Sequence, residues 1–132
     1  MKKALLLVVP LLLAAGVLAQ PSASLKLTKS ISLPGVNGRL NHLTFDTQRQ
    51  RLYVAASDHN TVEVVDLSAD RTLRPFSISE PRDVLVLPKP NVLYVTSARD
   101  GHVKVFDCAA ERALKTIGRL PGADNLRFDA PA

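Results

Sequence analysis

The chain has 132 residues with one cysteine, no tryptophan and only 5% aromatic content, so an internal disulfide is excluded and aromatic stacking platforms are scarce. Seventeen basic against 12 acidic residues give a net charge of +5. Lys and Arg are scattered, dense only at 49–51 and 71–74, and without a basic stripe interleaved with aromatics the expectation is no nucleic-acid partner.

Residues 1–19 read as an export signal. Lys2 and Lys3 give a positive start, residues 4–17 are apolar apart from Pro10 and Gly16, and Val17-Leu18-Ala19 offers cleavage after Ala19. The run falls short of the roughly 20 residues that span a bilayer. The expectation is therefore an exported chain, periplasmic or extracellular, with no membrane association after cleavage. Loss of Lys2 and Lys3 leaves 15 basic residues against 12 acidic, a net charge of +3.

Residues 20–24 form a flexible leader. Residues 25–33 then alternate apolar and polar with the period of a half-buried strand, and Pro34-Gly35 stops them. Four short strands are predicted next, at 43–46, 51–56, 61–66 and 71–78, joined by turn-forming segments such as Asp58-His59-Asn60. Four more follow at 83–87, 91–97, 102–107 and 113–120, with Asp100-Gly101 a strong hairpin signal. The second set copies the first. Leu52-Tyr53-Val54 returns as Leu93-Tyr94-Val95, and both Tyr53 to Tyr94 and Asp66 to Asp107 are steps of 41 residues.

A strand-rich repeat of about 40–45 residues is one blade of a β-propeller. The expected fold is all-β, a propeller of four-stranded antiparallel blades with only about two and a half blades present: a closing strand at 25–34, blades at 41–79 and 82–120, and the start of a third at 124–130. A closed ring takes about 4–8 blades. The chain therefore reads as a fragment of a longer propeller, with self-assembly of short chains as the rival account.

Leu93-Tyr94-Val95-Thr96, followed by residues 100–107, resembles the signature of the YVTN repeat of exported bacterial propellers. A tighter likeness, to propellers whose blades open on a Gly-Arg-Leu-x-His-Leu phrase, rests on residues 38–46 and 123–129. The resemblance covers residues 25–130 and implies a periplasmic or surface propeller, structurally similar to quinoprotein dehydrogenase and nitrous-oxide reductase propellers. The first copy departs from it, reading Tyr53-Val54-Ala55-Ala56, and no quinone, copper or lactone-hydrolysing residue set carries across.

Candidate site residues come from superposing the repeats. His42, Asp83 and Asn125 are equivalent, each just before the innermost strand turns apolar, where a propeller opens its central channel. Their neighbours Asn41, Arg82 and Asp124 are also polar. With Arg39, and with His59 and Arg99 from the loops between second and third strands, they make a candidate ligand rim of Arg39, His42, His59, Arg82, Asp83, Arg99, Asp124 and Asn125. The alternative is that they satisfy backbone groups at turns. No catalytic residues, metal ligands or cofactor are implied: the three histidines lie in separate loops, and no serine sits in a Gly-x-Ser-x-Gly elbow. Asp66 and Asp107 recur in each blade and so read as turn residues. Cys108 reads as a small buried apolar residue. The expected role is a non-enzymatic scaffold binding an unknown small molecule or protein at the channel mouth. The rival is part of an enzymatic propeller, quinoprotein-like or hydrolytic, and a third reading is a nonfunctional remnant.

Overall fold

A computed structural model describes residues 25–87 and 89–129; the export signal and the leader lie outside the described residues. Eight strands build two four-stranded antiparallel sheets in chain order. The first sheet holds β1 (Leu40–Asp46), β2 (Arg51–Ala56), β3 (Thr61–Asp66) and β4 (Arg71–Ser77), and the second β5 (Pro81–Leu87), β6 (Val92–Ser97), β7 (His102–Asp107) and β8 (Arg112–Ile117). This is the all-β pair of blades that the 41-residue period predicts.

Side chains alternate across a strand, so each sheet presents two faces, and one face of each packs on the other. Tyr53, Ala55, Val62, Val64, Phe76 and Ile78 of the first blade meet Val84, Val86, Leu93, Val95, Phe106 and Cys108 of the second in one buried cluster. At its centre the Phe76 and Phe106 rings lie tilted at 37° with centroids 4.6 Å apart, a favourable aromatic geometry. Burial pushes the Tyr53 hydroxyl pKa up beside Cys108, and burial likewise raises the Cys108 thiol. That thiol is fully enclosed, which favours its inert protonated form. Arg51 fastens the rim of this interface, donating to the Cys108 carbonyl at 3.3 Å and pairing with Glu111 at 2.9 Å.

The turns at the far end of the blades repeat as closely as the strands. Asp46, Asp66 and Asp107 each accept two backbone N–H groups from the two residues that follow the next one, at 2.8–3.1 Å. Gln50, Asp70, Asn91 and Glu111 then close the four turns with positive φ, between 51° and 69°. The recurrent aspartates are thus turn-forming residues, as their recurrence implies.

Two expected strands join no ladder. Residues 25–33 and 124–129 have alternation suited to strands, but a ladder needs a neighbouring strand whose edge is free in the right place. Residues 25–33 cross the outward face of the first sheet instead: Lys29, Ile31 and Leu33 border a hollow with Leu52, Val54 and Val65, and Lys29 pairs with Asp70 at 2.6 Å. Residues 124–129 lie beside β5, held by side chains.

The innermost strands carry matching bulges. Register shifts between Leu40 and Leu43 in β1 and between Pro81 and Val84 in β5, a 41-residue step, and a bulge re-aims the side chains within it. In β5 it turns Asp83 inward, where the carboxylate is 8% exposed. Asp83 Oδ1 accepts from Val84 N at 2.8 Å and Oδ2 from Leu126 N at 2.7 Å, while Oδ1 also lies 3.0 Å from His42 Nδ1. One carboxylate thereby ties β1, β5 and the segment 124–129 together.

Replacing Asp83 by alanine leaves the buried Val84 N–H and the part-buried Leu126 N–H without their acceptor, and a buried N–H left unpaired costs about 1–3 kcal/mol; we expect a clear fall in the urea midpoint, and a smaller fall for Asp83→Asn, which keeps one acceptor oxygen. For the turns, hydrogen bonds from Ser68 and Ala69 hold the Asp66 carboxyl, and those from Ala110 and Ala109 the Asp107 carboxyl, below the usual carboxylate range. A depressed folded-state pKa stabilises the fold above the unfolded value of about 3.9, and that contribution is lost as pH falls from there through the lower folded-state value. Melting temperature should therefore drop between about pH 5 and pH 3, and the drop should be shallower in an Asp66→Asn/Asp107→Asn double variant. Cys108 should resist thiol reagents in the folded chain and react at once in urea.

Candidate functional site

The polar residues singled out in the sequence gather at one end of the blades because of how each blade is wound. The start of β1 lies against the end of β2, with Leu40 opposite Ala56, so the loop after β2 sits beside the residues that lead into β1. Ser57 N donates to the Arg39 carbonyl at 3.0 Å, and one blade on Ala98 N donates to the Glu80 carbonyl at 3.1 Å. The blade-to-blade crossover joins them: Ile78 N and Glu80 N bond to the Asn60 carbonyl and side chain at 3.0 and 2.9 Å, and the Ser57 hydroxyl donates to the Pro81 carbonyl.

Within this end the eight candidates fall into three groups. Arg39 belongs with Asp58, which accepts from its backbone N at 2.8 Å and from Nη2 at 3.3 Å. Gly38 makes this possible: its φ is +88°, and a Cβ there would lie 2.6 Å from the Asp58 Cβ. His59 stands exposed on the same loop. Arg82 donates to Glu80, and Arg99 Nε lies 3.9 Å from the other Glu80 oxygen; with Asp124, Arg82 borders a hollow of about 270 Å³. Asn125 is turned back to Asp124, donating to its carboxylate at 3.3 Å, and does not join its equivalents.

His42 and Asp83 form the third group and line a cleft of about 460 Å³ between β1, β5 and residues 126–128. One wall carries the half-exposed His42 ring, and the other carries Arg127, whose side chain is 81% exposed with Nη1 3.8 Å from Asp83 Oδ2. Thr44 adds a hydroxyl, and Leu85 and Phe128 add apolar surface. Asp83 is not an open rim carboxylate, because the bulge buries it and its oxygens serve Val84, Leu126 and His42. It acts as a fixed negative charge beneath two cationic or potentially cationic donors. The cleft can therefore receive a small polar group and orient it between an imidazole and a guanidinium over an apolar floor.

Arg127, Thr44 and Glu80 were not singled out from the sequence. Thr44, Leu85 and Arg127 are mutual equivalents by the same repeat spacing of 41 and 42 residues, two positions past the His42 set, so the signal for Arg127 was present. Glu80 had no such signal; only the crossover brings it between Arg82 and Arg99. Among the described residues no three His, Cys, Asp or Glu side chains gather as a metal-holding group, and no helix is long and apolar enough to cross a membrane.

The chain matches no protein-family model and no curated protein. Solved structures do resemble it. The periplasmic gluconolactonase PpgL of Pseudomonas aeruginosa aligns with a TM-score of 0.60 at 20% identity, over 80% of this chain and 32% of that one. Apo AztD of Citrobacter koseri aligns at 0.59 and 19% identity, over 72% of this chain and 28% of its own. Hydrazine synthase of Kuenenia stuttgartiensis aligns at 0.54 and 17% identity, over 61% and 24%. The chain thus spans about a quarter to a third of these structures. At such identities the likeness concerns the fold: two four-stranded blades of a β-propeller.

Proposed function

We propose that this chain is part of an exported β-propeller of YVTN type that works as a non-enzymatic binding scaffold, taking a small polar ligand or a partner's side chain at the channel-side cleft. The observation that carries this reading is the placement of His42 and Arg127 on facing walls of one cleft above the buried Asp83 carboxylate. Two donors around a fixed counter-charge suit a ligand bearing an acidic or carbonyl oxygen. Arg39, His59, Arg82, Arg99, Asp124 and Asn125 lie further out at the same end and extend the surface a larger partner would meet. The export reading is supported by the signal-like stretch at 1–19 and by the likeness to a protein named as periplasmic.

A hydrolytic propeller is the second reading. It is favoured by the likeness to a protein named a gluconolactonase and by a histidine beside a buried carboxylate in the same cleft.

Gluconate and glucono-1,5-lactone serve as probes for both. A scaffold should bind one of them by calorimetry without raising lactone opening above its spontaneous rate. Loss of either wall donor, in His42→Ala or Arg127→Ala, should weaken binding about tenfold, or roughly 1.4 kcal/mol. Melting temperature should stay nearly constant in Arg127→Ala, since exposed substitutions typically change stability by less than about 0.5 kcal/mol, and should change little in His42→Ala and Arg82→Ala, whose side chains are 50% and 28% exposed. Lactone opening above the spontaneous rate that disappears in His42→Ala would replace the scaffold reading with the hydrolytic one. Binding of neither probe, with both variants indistinguishable from the parent, would remove the cleft as the site.

A further inference from the structure

The cleft between His42 and Arg127 is lined by one short stretch from each inner segment, residues 42–44, 83–85 and 126–128, and much of that lining is apolar. Leu43 is 60% exposed and Phe128 58%, while Leu85 and Leu126 are half-buried. Polar groups able to answer a ligand are fewer. Both Asp83 oxygens are taken, Oδ1 by Val84 N and His42 and Oδ2 by Leu126 N. The Thr44 hydroxyl oxygen already accepts from Val86 N at 3.4 Å. Arg127 gives Nη1 to the Leu126 carbonyl at 2.6 Å, which leaves it most of its N–H donors. His42 turns Nδ1 to Asp83 and keeps Nε2 for a ligand. Charge sets a further limit: Arg127 and a protonated His42 carry two positive charges over the one negative charge of Asp83, so the cleft has at most one to spare. A monoanion is matched there, whereas the second charge of a dianion meets a fixed carboxylate of its own sign.

We infer that the ligand is a small aromatic monocarboxylic acid, its carboxylate held between His42 and Arg127 and its ring laid against Phe128 and Leu43. This rests on the cleft being the binding site, the reading proposed above, and adds the chemical class that the site selects. A ring against Phe128 takes apolar surface of both partners out of water, in an offset or edge-to-face arrangement that aromatic pairs favour. A polyhydroxylated acid such as gluconate has the same head group, but its hydroxyls would face Leu43, Leu85 and Phe128, where no protein group replaces the water they leave. Its affinity is therefore that of the head group alone. The volume of about 460 Å³ accommodates one ring and its carboxylate, since ligand clefts begin at roughly 300 Å³.

The test is calorimetry at neutral pH with benzoate, acetate, gluconate and phthalate as probes. Benzoate should bind at least about tenfold more tightly than acetate, gluconate should bind about as acetate does, and phthalate, with its second carboxylate, should bind more weakly than benzoate. Phe128→Ala should bring benzoate close to the affinity of acetate and leave gluconate unchanged, whereas Arg127→Ala should weaken both. Should Phe128→Ala lose the far-ultraviolet spectrum of the parent, Leu43→Asn takes its place. Benzoate binding no tighter than acetate or gluconate, or a Phe128→Ala variant that loses gluconate along with benzoate, would overturn the inference and leave the cleft as the site. Benzoate binding that survives both Phe128→Ala and Arg127→Ala would place the acid elsewhere and overturn it too. Binding of none of the four probes would remove the cleft as the site, and the inference with it.

Discussion

A four-stranded sheet with apolar side chains on both faces cannot stand alone in water, and this constraint organises the molecule. The burial of Tyr53, Val62, Val64 and Phe76 against Leu93, Val95 and Phe106 removes the inner pair of faces from solvent. Stacking neighbours is how repeat architectures build a continuous core. The outer pair is covered only in part, by residues 25–33 on one side and 119–129 on the other, and Leu43, Phe45 and Ile117 remain open. The two-blade arc is thus a unit whose internal contact also specifies what its ends require.

Polar chemistry has a restricted place in such a stack. The strand faces are committed to packing, so polar groups concentrate at blade ends and along the innermost strands. At the far end they are used up in turns, where Asp46, Asp66 and Asp107 each hold two backbone N–H groups. At the near end the matching bulges in β1 and β5 free His42 and Asp83 from the ladder. Asp83 then serves two purposes: it satisfies backbone donors from two segments and sets the electrostatics of the cleft beside it. A residue with both roles couples blade assembly to site geometry, because the Leu126 N–H that it holds brings Arg127 to the cleft wall.

How much of this could be read from the residues differs between fold and site. Strands β2, β3 and β7 begin and end where the alternation of Tyr53, Val62 or Val103 with their neighbours places them, because alternation and turn chemistry are local. β1 and β5 start earlier than the apolar pattern suggests, at Leu40 and Pro81, since pairing continues past the bulges through polar residues. The site was legible as positions rather than as contacts. Equivalence under the repeat brought out His42 and Asp83, and those two do meet; it also brought out Asn125, which turns away to Asp124.

By itself the sequence determined the repeat length, the number of blades in this stretch and the turn aspartates. These follow from period-two alternation and from side chains that bond within a few residues of themselves. Only the tertiary structure decided that residues 25–33 and 124–129 lie on neighbouring elements without forming ladders, that Asp83 is buried rather than displayed, and that Glu80 and Arg127 join the candidate residues. The reason is the same in each case: a ladder, a buried charge and a cleft all depend on partners remote in the chain, and no local pattern states where those partners will be.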